Sequence, residues 1–150
     1  YEPKLLKSVV QINERQPERM IALLEKKLGE VSGKKIAILG LAFKNDTDDI
    51  RESRAIPVIR MLKDKGARLS AFDPMANENM KRVYPDIEYC SSAKEALRDA
   101  EACLILTEWK QFSKLGREFK VMKNRLVIDG RHILSPGGLN MDIEYEGLCW

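Results

Sequence analysis

Three short runs in this chain, Ile36-Ala-Ile-Leu39, Ala102-Cys-Leu-Ile-Leu106 and Leu126-Val-Ile128, are apolar on consecutive residues. A strand with one face in water alternates apolar and polar side chains, whereas a strand covered on both faces does not. These runs therefore predict central strands of a parallel sheet with helices on its two faces. Parallel neighbours need long crossovers, and the segments between the runs have helical spacing. The chain of 150 residues suffices for one such domain, able to bury roughly 68–70% of its unfolded surface.

Taken in order, residues 3 to 29 read as helix. Leu5, Leu6, Val9 and Val10, then Met20, Leu23, Leu24 and Leu28, recur at three- and four-residue steps. Pro17 lacks an N–H and predicts a kink or the start of a second helix, and Gly29 a stop. Whether that stripe packs on its own domain or on a partner is equally open. Lys35 to Leu39 is then the first strand, followed after a charged loop by a helix from Ala55 to Leu62 with Ser53 placed to cap it. Ala67 to Phe72, Ile87 to Cys90, Ala102 to Thr107 and Leu126 to Asp129 read as further strands. Helices are expected at Asn77 to Val83, Ala93 to Asp99 (capped by Ser92) and around Trp109 to Glu118, and the Gly-rich tail after Pro136 has no clear assignment. The prediction is a Rossmann-like, mostly parallel sheet of about five to six strands with right-handed crossovers. A long amino-terminal helix, residues 1–30, precedes that domain, residues 31–150.

Composition removes several functions. Lys and Arg total 26 against 23 Asp and Glu, a formal charge of +3 that is too small and too evenly spread to predict nucleic-acid binding. No run approaches a membrane span, and no charged-then-apolar leader opens the chain, so a cytoplasmic protein is expected. Cys90, Cys103 and Cys149 are widely separated and the single histidine is His132, a pattern without metal-ligand spacing. None of the cysteines has the setting of an activated nucleophile. The chain opens at Tyr1 instead of Met, which suggests a piece of a longer protein.

In open α/β sheets ligands lie beyond the carboxyl ends of the strands. Those ends are Gly40 to Arg51, Asp73-Pro74, Thr107-Glu-Trp109 and Asp129-Gly-Arg131. Lys44, Arg51 and Arg131 can meet phosphate, Arg131 with a bidentate fork, and Gly40 and Gly130 would let backbone approach a ligand. Asp73 suits either a ribose hydroxyl or an Asp-Pro turn, the turn being the commoner use. Trp109 suits a core or lid position better than a stacking platform, Asp48 and Asp49 can pair with Lys44 or Arg51, and His132 suits a structural role. The first strand is not followed by Gly-x-Gly-x-x-Gly, so standard dinucleotide binding there is not expected.

Gly40-Leu-Ala-Phe-Lys44, Thr47-Asp-Asp49 and Arg51-Glu-Ser53, with Asp73-Pro74, Thr107-Glu-Trp109 and Asp129-Gly-Arg131 in order, resemble the UDP-glucose/GDP-mannose dehydrogenase family. The resemblance is to its carboxyl-terminal, nucleotide-sugar-binding domain. Residues 1 to 28, with Asn13-Glu-Arg-Gln16, resemble the end of its central helix. One departure is Arg54 where the family often has Pro, with Pro57 later. The resemblance implies an NAD-dependent oxidoreductase that turns the sugar C6 alcohol of a UDP- or GDP-linked sugar into a carboxylate, in polysaccharide biosynthesis. It implies that Phe43, Lys44 and Arg131 contact the nucleotide sugar, and that Arg51 reaches NAD held mainly by an amino-terminal domain absent here. It also implies a homodimer formed through the central helix.

The family's catalytic cysteine, which carries the thiohemiacetal and thioester, lies upstream in a motif with no match here. No catalytic residue is therefore expected in this chain, which should not turn over alone. Two rivals stand beside this expectation: a stand-alone nucleotide or nucleotide-sugar-binding module, and a domain kept for assembly through the stripe on residues 3 to 28. The base and the sugar remain open.

Overall fold

The computed structural model describes residues 4–139 and 142–148, and side chains from Arg15 onward. The stripe at Leu5, Leu6, Val9 and Val10, the side chains of Asn13 and Glu14, and Cys149 lie outside the described residues.

Helix α1 runs Lys4–Leu28 without interruption, so Pro17 does not start a second helix. Its later part turns Met20, Ile21 and Leu24 into the core. Gly29, at φ +81°, closes it by donating its N–H to the Glu25 carbonyl at 2.8 Å. Strand β1 (Lys35–Leu39) follows, then α2 (Ala55–Asp64), β2 (Arg68–Phe72), α3 (Asn77–Val83), β3 (Glu88–Tyr89), α4 (Ala93–Leu97), β4 (Ala102–Ile105), β5 (Leu126–Asp129) and β6 (Glu144–Gly147). Ser92 caps α4 as its sequence position predicts, its hydroxyl accepting from the Glu95 N–H at 3.1 Å.

All six described strands are parallel, in the order β3-β2-β1-β4-β5-β6. The chain steps outward from β1 to β3 and then returns to the other side of β1. With right-handed crossovers that reversal puts the connections before and after β3 on opposite faces. Accordingly α1 packs on α2, and α4 packs on the segment before β5. Ile36, Ala37, Ile38 and Leu39 are fully buried, as are Ala102 to Ile105. Truncating one such aliphatic to Ala costs about 2–5 kcal/mol.

Two segments differ from the expectation. The helix around Trp109 to Glu118 is instead two 3-10 turns, Lys110–Lys114 and Arg117–Val121, hinged at Gly116. Within the tail, Glu144–Gly147 forms β6, which adds to β5 with Val127 opposite Tyr145. Among the described residues no helix is long and apolar enough to cross a membrane.

Candidate functional site

The strand order reverses between β1 and β4, and the loops after those two strands meet there. Gly40 has φ +100°, and a Cβ on it would lie 2.5 Å from the Thr107 nitrogen and 2.6 Å from the Thr107 Cβ. The missing side chain is thus used by the end of β4. Thr107 Oγ1 donates to the Ala42 carbonyl at 2.8 Å, and Ser53 Oγ donates to the Leu41 carbonyl at 2.7 Å. Ser53 also accepts from the Ala55 N–H at 3.2 Å, so the predicted capping serine holds both ends of its loop.

Asp73, at the end of β2, is the centre of this arrangement. Its Oδ2 accepts from the N–H groups of Leu41 (2.7 Å) and Ala42 (2.9 Å) and from Trp109 Nε1 (3.0 Å). Oδ1 accepts from the N–H groups of Met75 (2.8 Å) and Ala76 (2.9 Å). The Asp-Pro turn is therefore borne out, and its acid also ties three strand ends together. Trp109 is a buried core aromatic. Asp129, at the end of β5, is a second buried acid. It accepts from the N–H groups of Arg131 and Leu134 and from the Tyr145 hydroxyl, each at 2.9 Å.

Beyond this rigid root the loop opens to water. Phe43 donates its N–H to the Asp49 carbonyl at 2.7 Å, which closes the loop on itself. The Phe43 ring remains 43% exposed, and Lys44 is exposed beside it. Arg51 is 88% exposed at its side chain and grips Asp49 through Nε (3.1 Å) and Nη2 (2.8 Å). That hydrogen bond, with the guanidinium charge, holds the Asp49 carboxyl down at about 2. The expected pairing of Asp49 is thus present, whereas the Asp48 carbonyl accepts from Asn79 Nδ2 at 2.8 Å. Phe43, Asp49, Arg51 and Glu52 line a cleft of about 270 Å³.

Arg131 leaves β5 two strands away from that loop. Its Nε donates to the Leu106 carbonyl at 2.9 Å and lies 3.4 Å from Glu108 Oε2. Beside it, His132 to Pro136, Tyr145 and Gly147 line an open hollow of about 650 Å³. Four described non-glycine residues have positive φ, and Asp46, Glu52 and His132 are on these loops. Such conformations cost on the order of 1–3 kcal/mol each and gather where a site is held in place. A cleft of about 500 Å³ bounded by Lys35, Lys63, Arg68 and Glu88 lies at the opposite, amino ends of the strands, away from this rim.

The structure thus carries Phe43, Lys44, Arg51 and Arg131 on one rim, with Phe43 and Arg51 in one cleft and Arg131 apart from it. Asp73, Thr107 and Ser53 as organisers, and Glu108 beside Arg131, are not apparent from the chain alone. Their one sequence signal is position, a polar residue at the end of an apolar strand or loop. Cys90 and Cys103 are both buried, and burial pushes the Cys90 thiol up to about 11 and Cys103 higher, against a nucleophilic role.

Comparison with known proteins identifies the family of the chain. The model of the UDP-glucose/GDP-mannose dehydrogenase family, UDP binding domain, matches residues 37–136. The UDP-glucose 6-dehydrogenase AglM of Haloferax volcanii is 48% identical over 148 residues, covering 99% of this chain and 34% of that protein. A UDP-glucose 6-dehydrogenase of Rickettsia prowazekii is 39% identical over 136 residues, 87% of this chain and 31% of its own. The solved UDP-glucose dehydrogenase of Pyrobaculum islandicum superposes with a TM-score of 0.84 at 36% identity, over 96% of this chain and 32% of that one. The chain thus spans about a third of the length of the relatives it matches.

Proposed function

Because this chain belongs to the UDP-glucose/GDP-mannose dehydrogenase family, we propose that it is the substrate-holding, carboxyl-terminal part of an NAD-dependent nucleotide-sugar 6-dehydrogenase. The observation that carries the reading is Arg131, at the end of β5 and secured through Nε at 2.9 Å on the Leu106 carbonyl, with no described acceptor on its terminal nitrogens. A guanidinium held this way suits phosphate. Lys44 adds a second cation, and the exposed Phe43 ring offers an apolar face to the nucleotide sugar. Residues 1–30 then serve as the linking and dimer-forming helix and 31–150 as the binding domain, in a cytoplasmic enzyme of polysaccharide biosynthesis.

NAD supplies hydride acceptance when bound, and its main seat is outside this chain. The residues present fit only a peripheral contact. The loop after β1 has Ala42 and Asn45 where the usual strand-one seat has its second and third glycines, the second for close approach to the pyrophosphate, whereas the exposed Arg51 guanidinium can reach an anionic cofactor across a cleft. The sugar is held here while the reacting thiol comes from elsewhere.

Turnover tests this. The full-length protein should reduce NAD with a UDP- or GDP-sugar, identified by thermal-shift screening of those sugars, and residues 1–150 alone should not. Oxidation by the isolated chain would refute the reading. Nucleotide-sugar binding by a full-length protein that never reduces NAD would favour the binding-module alternative.

A further inference from the structure

Arg131 is gripped on one edge only. Its Nε–H goes to the Leu106 carbonyl, and the same nitrogen lies 3.4 Å from Glu108 Oε2. That carboxylate oxygen is buried and accepts no hydrogen bond among the described residues, so it acts on the guanidinium by charge at contact distance. No described acceptor meets Nη1 or Nη2. A single bond at Nε leaves the guanidinium plane able to swing, and a fork-to-phosphate contact needs that plane fixed. An acid on the same edge as the carbonyl opposes the swing, and its Oε2 accepts no hydrogen bond from either terminal nitrogen.

Glu108 reaches this position from a different strand. It follows Thr107, whose hydroxyl holds Ala42, and precedes Trp109, whose Nε1 is held by Asp73. The backbone on both sides of Glu108 is therefore pinned, and its side chain, 36% exposed, meets Arg131, 27% exposed, across the ends of β4 and β5. A partly buried ion pair gains little net stability, because desolvation offsets its Coulomb attraction. A purely stabilising role would also not require an arginine turned so that its better donors stay unused.

We infer that Glu108 is a positioning residue, which fixes the Arg131 guanidinium so that Nη1 and Nη2 form a fork for a phosphate-bearing ligand. This rests on the reading of Arg131 as a nucleotide-sugar contact. The pair also discriminates by residue type: a lysine at 131 would turn its single ammonium to Glu108 and offer no fork.

A double-mutant cycle in the full-length protein tests it, with UDP and GDP as calorimetric probes. Arg131→Ala should raise Kd about tenfold or more, as loss of a charge-assisted contact does. Glu108→Gln should raise Kd about fivefold, Glu108→Asp should recover part of the loss, and the melting temperature should stay constant. In the Arg131→Ala background Glu108→Gln should have no further effect, because a residue acting through another is silent once that other is gone. Full additivity, or an unchanged Kd in Glu108→Gln, overturns the positioning role. An unchanged Kd in Arg131→Ala, or no heat from either probe with the unmodified protein, overturns the reading of Arg131 instead.

Discussion

The loop after β1 has two halves that obey different rules. Its root, Gly40 to Ala42, is buried, and side chains hold it from two other strand ends, Asp73 and Thr107, and from the far end of the loop, Ser53. Its rim, Phe43 to Glu52, is largely open to water and held mostly by short-range bonds, Phe43 to Asp49 and Asp49 to Arg51. The root contains no charged residue and the rim contains six: Lys44, Asp46, Asp48, Asp49, Arg51 and Glu52. The groups available to a ligand stand on a platform whose rigidity does not depend on them. Stability and binding are thereby assigned to neighbouring but separate residues.

That division can be broken by substitution, the root giving the larger effects. Asp73→Asn keeps size but places an amide where only acceptors fit. At least two of its five N–H partners lose their acceptor, at about 1–3 kcal/mol each, so urea denaturation should show a loss of about 2–6 kcal/mol. Gly40→Ala adds a Cβ 2.5 Å from backbone at positive φ, and overpacking plus backbone strain should cost about 2–5 kcal/mol in the same measurement. Wild-type stability in both variants would mean that the root is not the rigid platform.

At the rim, Arg51→Ala should change stability far less than either root variant, since the side chain is 88% exposed. Its signature is electrostatic. The Asp49 carboxyl, held at about 2, should return toward the ordinary carboxylate range, as an NMR pH titration would read directly. A carboxyl whose folded pKa is depressed stabilises above its unfolded value, and that contribution fades as pH falls from about 4 toward 2. Wild-type protein should therefore show this acid-range dependence and Arg51→Ala should lose it. An Asp49 that titrates normally in both would dissolve the pairing that shapes the rim.

Much of the frame is legible in the chain. The boundaries of β1, α3 and β5 coincide with those expected, because consecutive apolar residues mark the two strands and the Asp73-Pro74 turn precedes the short helix. β6 is different. Glu144-Tyr-Glu-Gly147 has no apolar run, and it is a strand because β5 offers it an open edge, a fact of tertiary structure. The segment from Lys110 to Val121 has helical composition, yet the break at Gly116 leaves two tight turns. At the site, the charged loop and Arg131 stand out from sequence because charge collects at strand ends. The work of Asp73 does not, since three of its partners lie 31 to 36 residues away. Glu108 is visible only as the middle of a three-residue motif, and its neighbour Arg131 arrives from the next strand.

Lys27, in the last turn of α1, lies 2.9 Å from Glu146 and 3.3 Å from Glu144 on β6, and those acids raise its pKa. The first described helix and the last described strand are thus clasped together at the surface. The sheet domain that follows α1 is therefore entered beside the strand from which it is left, and such a domain behaves like a cassette, since joining it into a longer chain need not pull its sheet apart.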